Sequence, residues 1–296
     1  MKAAFLILLL TATSASAAGS ACPQFFAGGS APDIAKPSMA ARTTELCYSD
    51  FSVMHSGITA GPLWSAEHLT AAGIAEAKKV PRVDQFFADP RVPAGDRAEL
   101  SHYRGSGYDR GHMAPSADMT TDKAQAESFT LANMVPQDPA LNRKLWADIE
   151  STARGLALSY GEVYVVTGPA FGGESLKRIG GRVLVPTSTF KAVFVPSQKA
   201  AAAWWADNTG AGRKYEVVSI NELTSRLSVD VFPALPAEVK AVAARLPAPK
   251  AGSDAAAGTR PPAPAAAHRK TSEAEAPGWS GMAAQIMIGV IDRMMR

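Results

Sequence analysis

Two short clusters hold the residue types that could do chemistry together. The first is Tyr103-Arg-Gly-Ser-Gly-Tyr-Asp-Arg-Gly-His-Met-Ala-Pro115, in which His112 follows Asp109, Arg110 and Gly111. The second runs Asn133-Met-Val-Pro-Gln137, then Leu141-Asn142, Trp146, Glu150 and Arg154. An imidazole has a reference pKa of about 6.5 and can accept a proton at neutral pH. A lone histidine is more often structural, so the weight falls on its neighbours. If 138–157 is helical, Asn142, Trp146, Glu150 and Arg154 recur every fourth residue, and each step drifts only about 40°. Successive members then share a stripe. A neutral oxygen donor, a carboxylate and a guanidinium on one stripe suit a hydrated hard cation beside a phosphate better than an apolar core.

At these residues the chain resembles the DNA/RNA non-specific endonuclease family, which includes secreted bacterial nucleases and mitochondrial endonuclease G. The resemblance is carried by Asp109-Arg110-Gly111-His112, by Asn133 with Pro136-Gln137, and by Leu141-Asn142, Trp146 and Glu150. It extends over roughly residues 42–235 and stops short of the C-terminal tail. It implies an α+β protein of the ββα-metal (His-Me finger) fold, with a central, mainly antiparallel sheet flanked by helices. It also implies a role for each matching residue. His112 matches the general base that deprotonates the attacking water. Asn142 matches the single protein ligand of a magnesium ion, with manganese able to substitute. Glu150 matches the carboxylate that holds the ion through water. Arg154 matches a guanidinium near the scissile phosphate, Arg110 the arginine that braces the site, and Asn133 a residue that shapes it. Asp109 joins Asn133 among the site-shaping residues. Arg82 matches a further phosphate-binding arginine in a looser context. Two positions depart from the pattern: Arg143 stands where Gln usually follows the metal asparagine, and Phe129 where secreted members tend to carry a second asparagine. The implied partners are DNA and RNA as substrates; a homodimer is a separate expectation that does not come from the resemblance.

The chemistry is coherent without the family. Phosphodiester hydrolysis needs a nucleophile, charge relief on phosphoryl oxygens and help for the leaving oxygen. Magnesium keeps most of its waters, so one neutral ligand suffices if a carboxylate orients the shell. Contacts confined to phosphate and sugar carry no direct base information, which fits weak sequence selectivity. Residues 78–154 hold as many acidic as basic side chains, so the cleft is not simply a basic groove. Two other readings compete. A non-catalytic exported nucleic-acid-binding protein on the same scaffold would not need His112, Asn142 and Glu150 together. A different hydrolase is disfavoured because Gly105-Ser106-Gly107 is not a nucleophile elbow.

These residues need a frame. Residues 45–56, 162–168, 182–185, 189–195 and 215–220 read as strands, from alternation or from β-branched and aromatic content. Residues 66–78, 121–131, 138–157, 221–227 and 235–245 read as helices. Strands on both sides of a helical insert predict α+β with a largely antiparallel sheet. His55, His68 and His102 are expected on the surface or at strand edges.

The chain has 296 residues, 47% hydrophobic and 19% charged, with a net charge of +3. That excludes wholesale disorder, and two cysteines exclude a disulfide scaffold. Bulk charge announces no nucleic-acid partner. Residues 1–17 read as a signal peptide: Met1-Lys2, the apolar run Ala3–Leu10, then Ala15-Ser16-Ala17. Export, to the periplasm or the medium, makes a Cys22–Cys47 disulfide the simplest reading, against two free thiols or a metal site. Residues 18–246 are expected to form the catalytic domain and 247–278 a disordered Ala/Pro-rich linker. Residues 279–296 are expected to form an amphipathic helix that docks on the core, a second subunit or a membrane surface. No run is long enough for a transmembrane helix.

Overall fold

The computed structural model describes residues 20–210 and 214–252. The expected signal peptide and the C-terminal helix lie outside the described residues. Nine strands and four helices matter for the site. The strands are β1 (Thr43–Cys47), β2 (Ser52–Ser56), β3 (Gly61–Thr70), β4 (Asp109–His112), β5 (Met134–Gln137), β6 (Glu162–Ala170), β7 (Ser188–Val195), β8 (Ala200–Asp207) and β9 (Glu216–Val218). The helices are α1 (Ala71–Ala77), α2 (Asp122–Ser128), α3 (Ala147–Tyr160) and α4 (Ile220–Leu227).

Seven strands form one antiparallel sheet in the order β9-β8-β7-β6-β3-β2-β1. Side chains alternate across such a sheet, so neighbouring residues serve opposite faces. Trp64, Ala66, Val166, Phe190 and Ala192 face one side, against Phe25 and Phe26 from the N-terminal segment and Ile220, Leu223 and Leu227 of α4. Leu69, Val163, Val165, Val193 and Trp204 face the other, against α1 and the apolar stripe Ile149, Ala153, Leu156 and Ala157 of α3. β4 and β5 pair separately as an antiparallel ribbon that feeds α3.

Local chemistry fixes the element ends. The Thr70, Thr121 and Ser219 side chains accept from the backbone N–H of Gly73, Ala124 and Glu222, capping α1, α2 and α4. α3 ends at Gly161, whose φ of 93° favours glycine.

The structure corrects several expectations. Residues 66–70 finish β3, leaving only Ala71–Ala77 helical, because Ala66 and Leu69 are held in register with Val166 and Val163 of β6. Sheet pairing overrides the helical bias of the Ala/Glu-rich segment. Residues 45–56 form a hairpin, β1 and β2, not one strand. The helix expected over 138–157 opens with a π turn, Leu141–Trp146, before α3. β8 was not foreseen: its alanines favour helix, yet β7 and β9 pair it on both sides. His55 is buried, 1% exposed, rather than at the surface.

Cys22 and Cys47 form a disulfide with Cα atoms 5.9 Å apart, tying the N-terminal segment to β1. In the chain-entropy account, closing a loop of that size contributes about 3 kcal/mol. The chain beyond Leu246 stays against the domain for several residues. Trp204 Nε1 donates to the Pro247 carbonyl at 3.3 Å, and Lys250 N donates to Thr152 Oγ1 at 3.1 Å. The first residues of the expected linker are therefore hydrogen-bonded to the core. Among the described residues no helix is long and apolar enough to cross a membrane.

Candidate active site

The β4–β5 ribbon sets the register Asp109↔Gln137, Arg110↔Pro136, Gly111↔Val135 and His112↔Met134. Gly111 is required there, because a Cβ would stand 2.2 Å from Gln137 Oε1. Beyond the ribbon, the backbone around His112 is held from two directions. Met113 N donates to the Asn133 carbonyl at 3.0 Å, and Trp146 Nε1 donates to the His112 carbonyl at 3.3 Å. Asn133 is a fully satisfied buried clasp. Its Oδ1 accepts from Ser65 Oγ and Ala114 N, and its Nδ2 donates to the carbonyls of Ala114 and Ser128.

The His112 ring meets Phe129 edge-on at 4.9 Å and Phe86 at 5.9 Å. Phe129, one of the two departures from the family pattern, thus builds the wall of the imidazole pocket. His112 Nε2 is sealed without a hydrogen-bond partner, which leaves Nδ1 as the nitrogen open to the cleft. Burial first, then the charges of Arg82 and Arg110, push the imidazole down to about 3, with Asp84 opposing. The ring is neutral at physiological pH, the form that can take a proton.

Asn142 Nδ2 donates to Asp109 Oδ2 at 3.0 Å. A carboxylate only accepts, so this bond fixes the amide orientation and leaves Oδ1 as the free oxygen donor. Arg143, the second departure, grips the same carboxylate with Nε and Nη2 at 2.8 and 2.7 Å. These bonds hold the Asp109 carboxyl below its ordinary range against the opposing effect of burial. Glu150 faces the cleft, and burial pushes its carboxyl up to about 7 despite Lys191 and Arg154. Lys191, Arg154 and Arg82 already act on it, so the elevation comes from burial, and a divalent cation beside it would favour the ionised form.

His112, Asn142, Glu150, Asp109, Arg82 and Arg110 all line one cleft of about 770 Å³. Arg82 donates to Ser116 Oγ at 2.9 Å and to Asp84 at 2.6 Å, and its guanidinium lies over Phe129. Arg110 is exposed, its guanidinium 4.0 Å from the Phe86 ring centroid. Two predicted residues stand elsewhere. Asn133 lies behind the wall, as a clasp. Arg154, expected near the scissile phosphate, lies beneath the cleft, buried and bonded to Asp118 Oδ1 at 2.8 Å. A buried carboxylate demands such a cation.

Sequence reasoning missed the layer under α3. Lys191 is buried, donating to Thr167 Oγ1 at 2.7 Å and to the Met113 carbonyl at 3.3 Å. Glu67 is fully buried, and neither of its oxygens has a hydrogen-bond partner. Burial and the Asp118 charge hold its carboxyl well above the usual range. A signal existed: Lys191 shares strand parity with Val193, the inward side of β7.

The chain is similar over part of its length to several nucleases. It is 40% identical to nuclease C1 of Cunninghamella echinulata over 45% of this chain and 58% of that protein. It is 43% identical to a nuclease of Nostoc over 45% and 47%, and 35% identical to mitochondrial endonuclease G of Bos taurus over 61% and 64%. The matched region thus spans only about half to two thirds of these curated relatives. Among solved structures, the EndoG/EndoGI complex, described as showing the mechanism of EndoG inhibition, matches with a TM-score of 0.59 at 27% identity, covering 62% of this chain and 84% of that one. The family model for DNA/RNA non-specific endonucleases matches residues 30–237, and the chain belongs to that family.

Proposed function

We propose that this chain is an exported, magnesium-dependent endonuclease that hydrolyses phosphodiester bonds of DNA and RNA with little sequence preference. The observation that carries the reading is the meeting of three groups in one cleft: a neutral, aromatic-walled His112, an Asn142 whose Oδ1 is freed by its bond to Asp109, and a buried Glu150 carboxyl. His112 Nδ1 takes the proton of the attacking water. Asn142 Oδ1 would hold the ion directly, and Glu150 would hold it through water. When bound, magnesium or manganese supplies positive charge to the oxygens that gain electrons in the transition state. Arg82 and Arg110 hold non-reacting phosphate oxygens, while Arg154 acts from below by fixing Asp118 and the charge balance around Glu150. Phe86 and Phe129 keep bulk water from the imidazole.

The N-terminal signal pattern and the Cys22–Cys47 bridge support export, since disulfides persist in oxidising compartments. The test is digestion of duplex DNA, single-stranded DNA and RNA in parallel, with magnesium, with manganese and with excess EDTA. Cleavage of all three with metal and none in EDTA is expected. Undiminished cleavage in EDTA would remove the ion from the scheme. Binding without cleavage under every condition would leave the non-catalytic reading.

A further inference from the structure

The Gly-rich turn Arg104–Tyr108 has no part in the hydrolytic scheme, yet it forms an arm of the same cleft. Leu100, Arg104 and Tyr108 line the cavity that also holds His112. Three features separate this arm from the reacting end. Leu100 is 43% exposed, a large apolar side chain left open in a cleft of charges. The Tyr108 ring is backed by Lys177, whose ammonium lies 4.7 Å from the ring centroid and 3.5 Å from the hydroxyl, while Lys177 stays out of the cleft lining. Arg104 has no carboxylate partner among the described residues, whereas Arg82 and Arg143 are tied to Asp84 and Asp109.

The turn itself is built to project. Gly105 and Gly107 have φ of 67° and 82°, and nothing lies within 4 Å of where a Cβ would stand. Arg104 and Tyr108 thus flank an open loop at the rim. An unpaired cation beside an aromatic ring matches a nucleotide in a single strand, phosphate to cation and base face to ring, with the exposed aliphatic chain widening the apolar platform for the base. A base inside a duplex has both faces covered by its neighbours, so it offers the ring nothing until it is unstacked.

We propose that Leu100, Arg104 and Tyr108 form a subsite for an unpaired nucleotide flanking the cleaved bond. Arg104 takes its phosphate, and Tyr108 and Leu100 take its base. The subsite rests on the nuclease reading of the cleft and adds a substrate class to it: single strands are held beyond the reacting phosphate by a contact that duplex does not make.

Binding is measured apart from turnover, in His112→Ala protein, by fluorescence anisotropy of a labelled oligonucleotide as a single strand and as a duplex. Adding Tyr108→Ala weakens single-strand binding by about tenfold and duplex binding by less than about twofold, the size of one lost base–aromatic stack. Tyr108→Phe keeps the ring and keeps single-strand affinity, which separates loss of stacking from loss of fold. Arg104→Ala weakens both substrates and lowers the salt dependence by about one phosphate contact. Unchanged single-strand affinity in Tyr108→Ala overturns the subsite. Equal loss for strand and duplex, or Tyr108→Phe behaving like Tyr108→Ala, also overturns it. The nuclease reading fails by a different result, wild-type protein that cleaves neither DNA nor RNA.

Discussion

Along β7, Phe190 points to one face of the central sheet and Lys191 to the other, and the rest of each face follows suit. On the Phe190 side, Trp64, Ala66, Val166 and Ala192 pack against α4 and the N-terminal aromatics. On the Lys191 side, Ser65, Glu67 and Thr167 lie beneath the ββα unit, and Asp118 and Arg154 meet them from above. Ser65, Thr167 and Lys191 are direct cross-strand neighbours, one polar row over three strands. Burying charge is costly unless it is paired, so a layer of this kind is not what stability alone would select. Its members touch the site's supports: Ser65 holds Asn133, and Lys191 holds the carbonyl next to His112. The apolar face holds the fold together, and the polar face holds the site in place.

The largest effect is expected at the end of that polar chain of contacts. His112→Ala should lose about 10²–10⁴ in cleavage rate with an unchanged melting temperature, because removing a general base costs about that much. Near-wild-type turnover would show that His112 is not the base. The two β7 neighbours sharpen the contrast. Phe190→Ala should cost about 3–5 kcal/mol in denaturant unfolding, from lost burial and the cavity left behind. Lys191→Met should cost a similar amount, about 2–6 kcal/mol, by leaving two buried acceptors, Thr167 Oγ1 and the Met113 carbonyl, without their donor. Cleavage per folded molecule should survive Phe190→Ala and fall in Lys191→Met. Equal falls in both would erase the division between the faces.

How much of this was legible in the sequence differs between the same regions. The ordered run from Asp109 to Glu150 pointed to the cleft residues, because chemistry at a site needs particular residue types. The buried charges under α3 were harder to read: the parity of Lys191 with Val193 points inward, but a lone Lys or Glu in a strand looks solvent-facing until the strand is known to be central. The π turn at Leu141–Trp146 was hidden because a helical stripe does not encode its hydrogen-bond spacing. It lets Trp146 reach the His112 carbonyl while Asn142 stays at the cleft. β8 was invisible because Ala200–Ala203 carries helical propensity, and only pairing on both edges makes it a strand.

His55 tests whether an unpartnered polar group matters equally away from the site. It is buried, both ring nitrogens lack partners, and burial pushes its imidazole down to about 4, with Asp96 and Asp89 opposing and Arg182 assisting. The unfolded value is near 6.5, so the neutral folded form contributes stability above that pH. This stability is lost as pH falls from 6.5 toward 4, by about 3 kcal/mol in all. Unfolding at pH 7 and at pH 4 should therefore show His55→Leu losing less stability on acidification than the wild type. Parallel losses would mean that His55 is not a source of the acid sensitivity.

The smallest loss is expected at Glu67, and it separates the two charged members of the buried layer. Its folded pKa is raised, so the unfolded chain ionises first and stability falls as pH rises above about 4.5, until the folded group ionises too. A protonated carboxyl and an amide have nearly the same shape and neither carries charge. Glu67→Gln should therefore leave stability near pH 4 within about 1 kcal/mol of the wild type, and at neutral pH it should stabilise the fold, opposite in sign to the loss expected for Lys191→Met. It should also flatten the decline between pH 4.5 and 7, read by chemical denaturation at each pH. A loss as large as that of Lys191→Met would mean that Glu67 is ionised and paired in the fold. The polar row would then be a salt-bridge network rather than a lysine held by neutral oxygens.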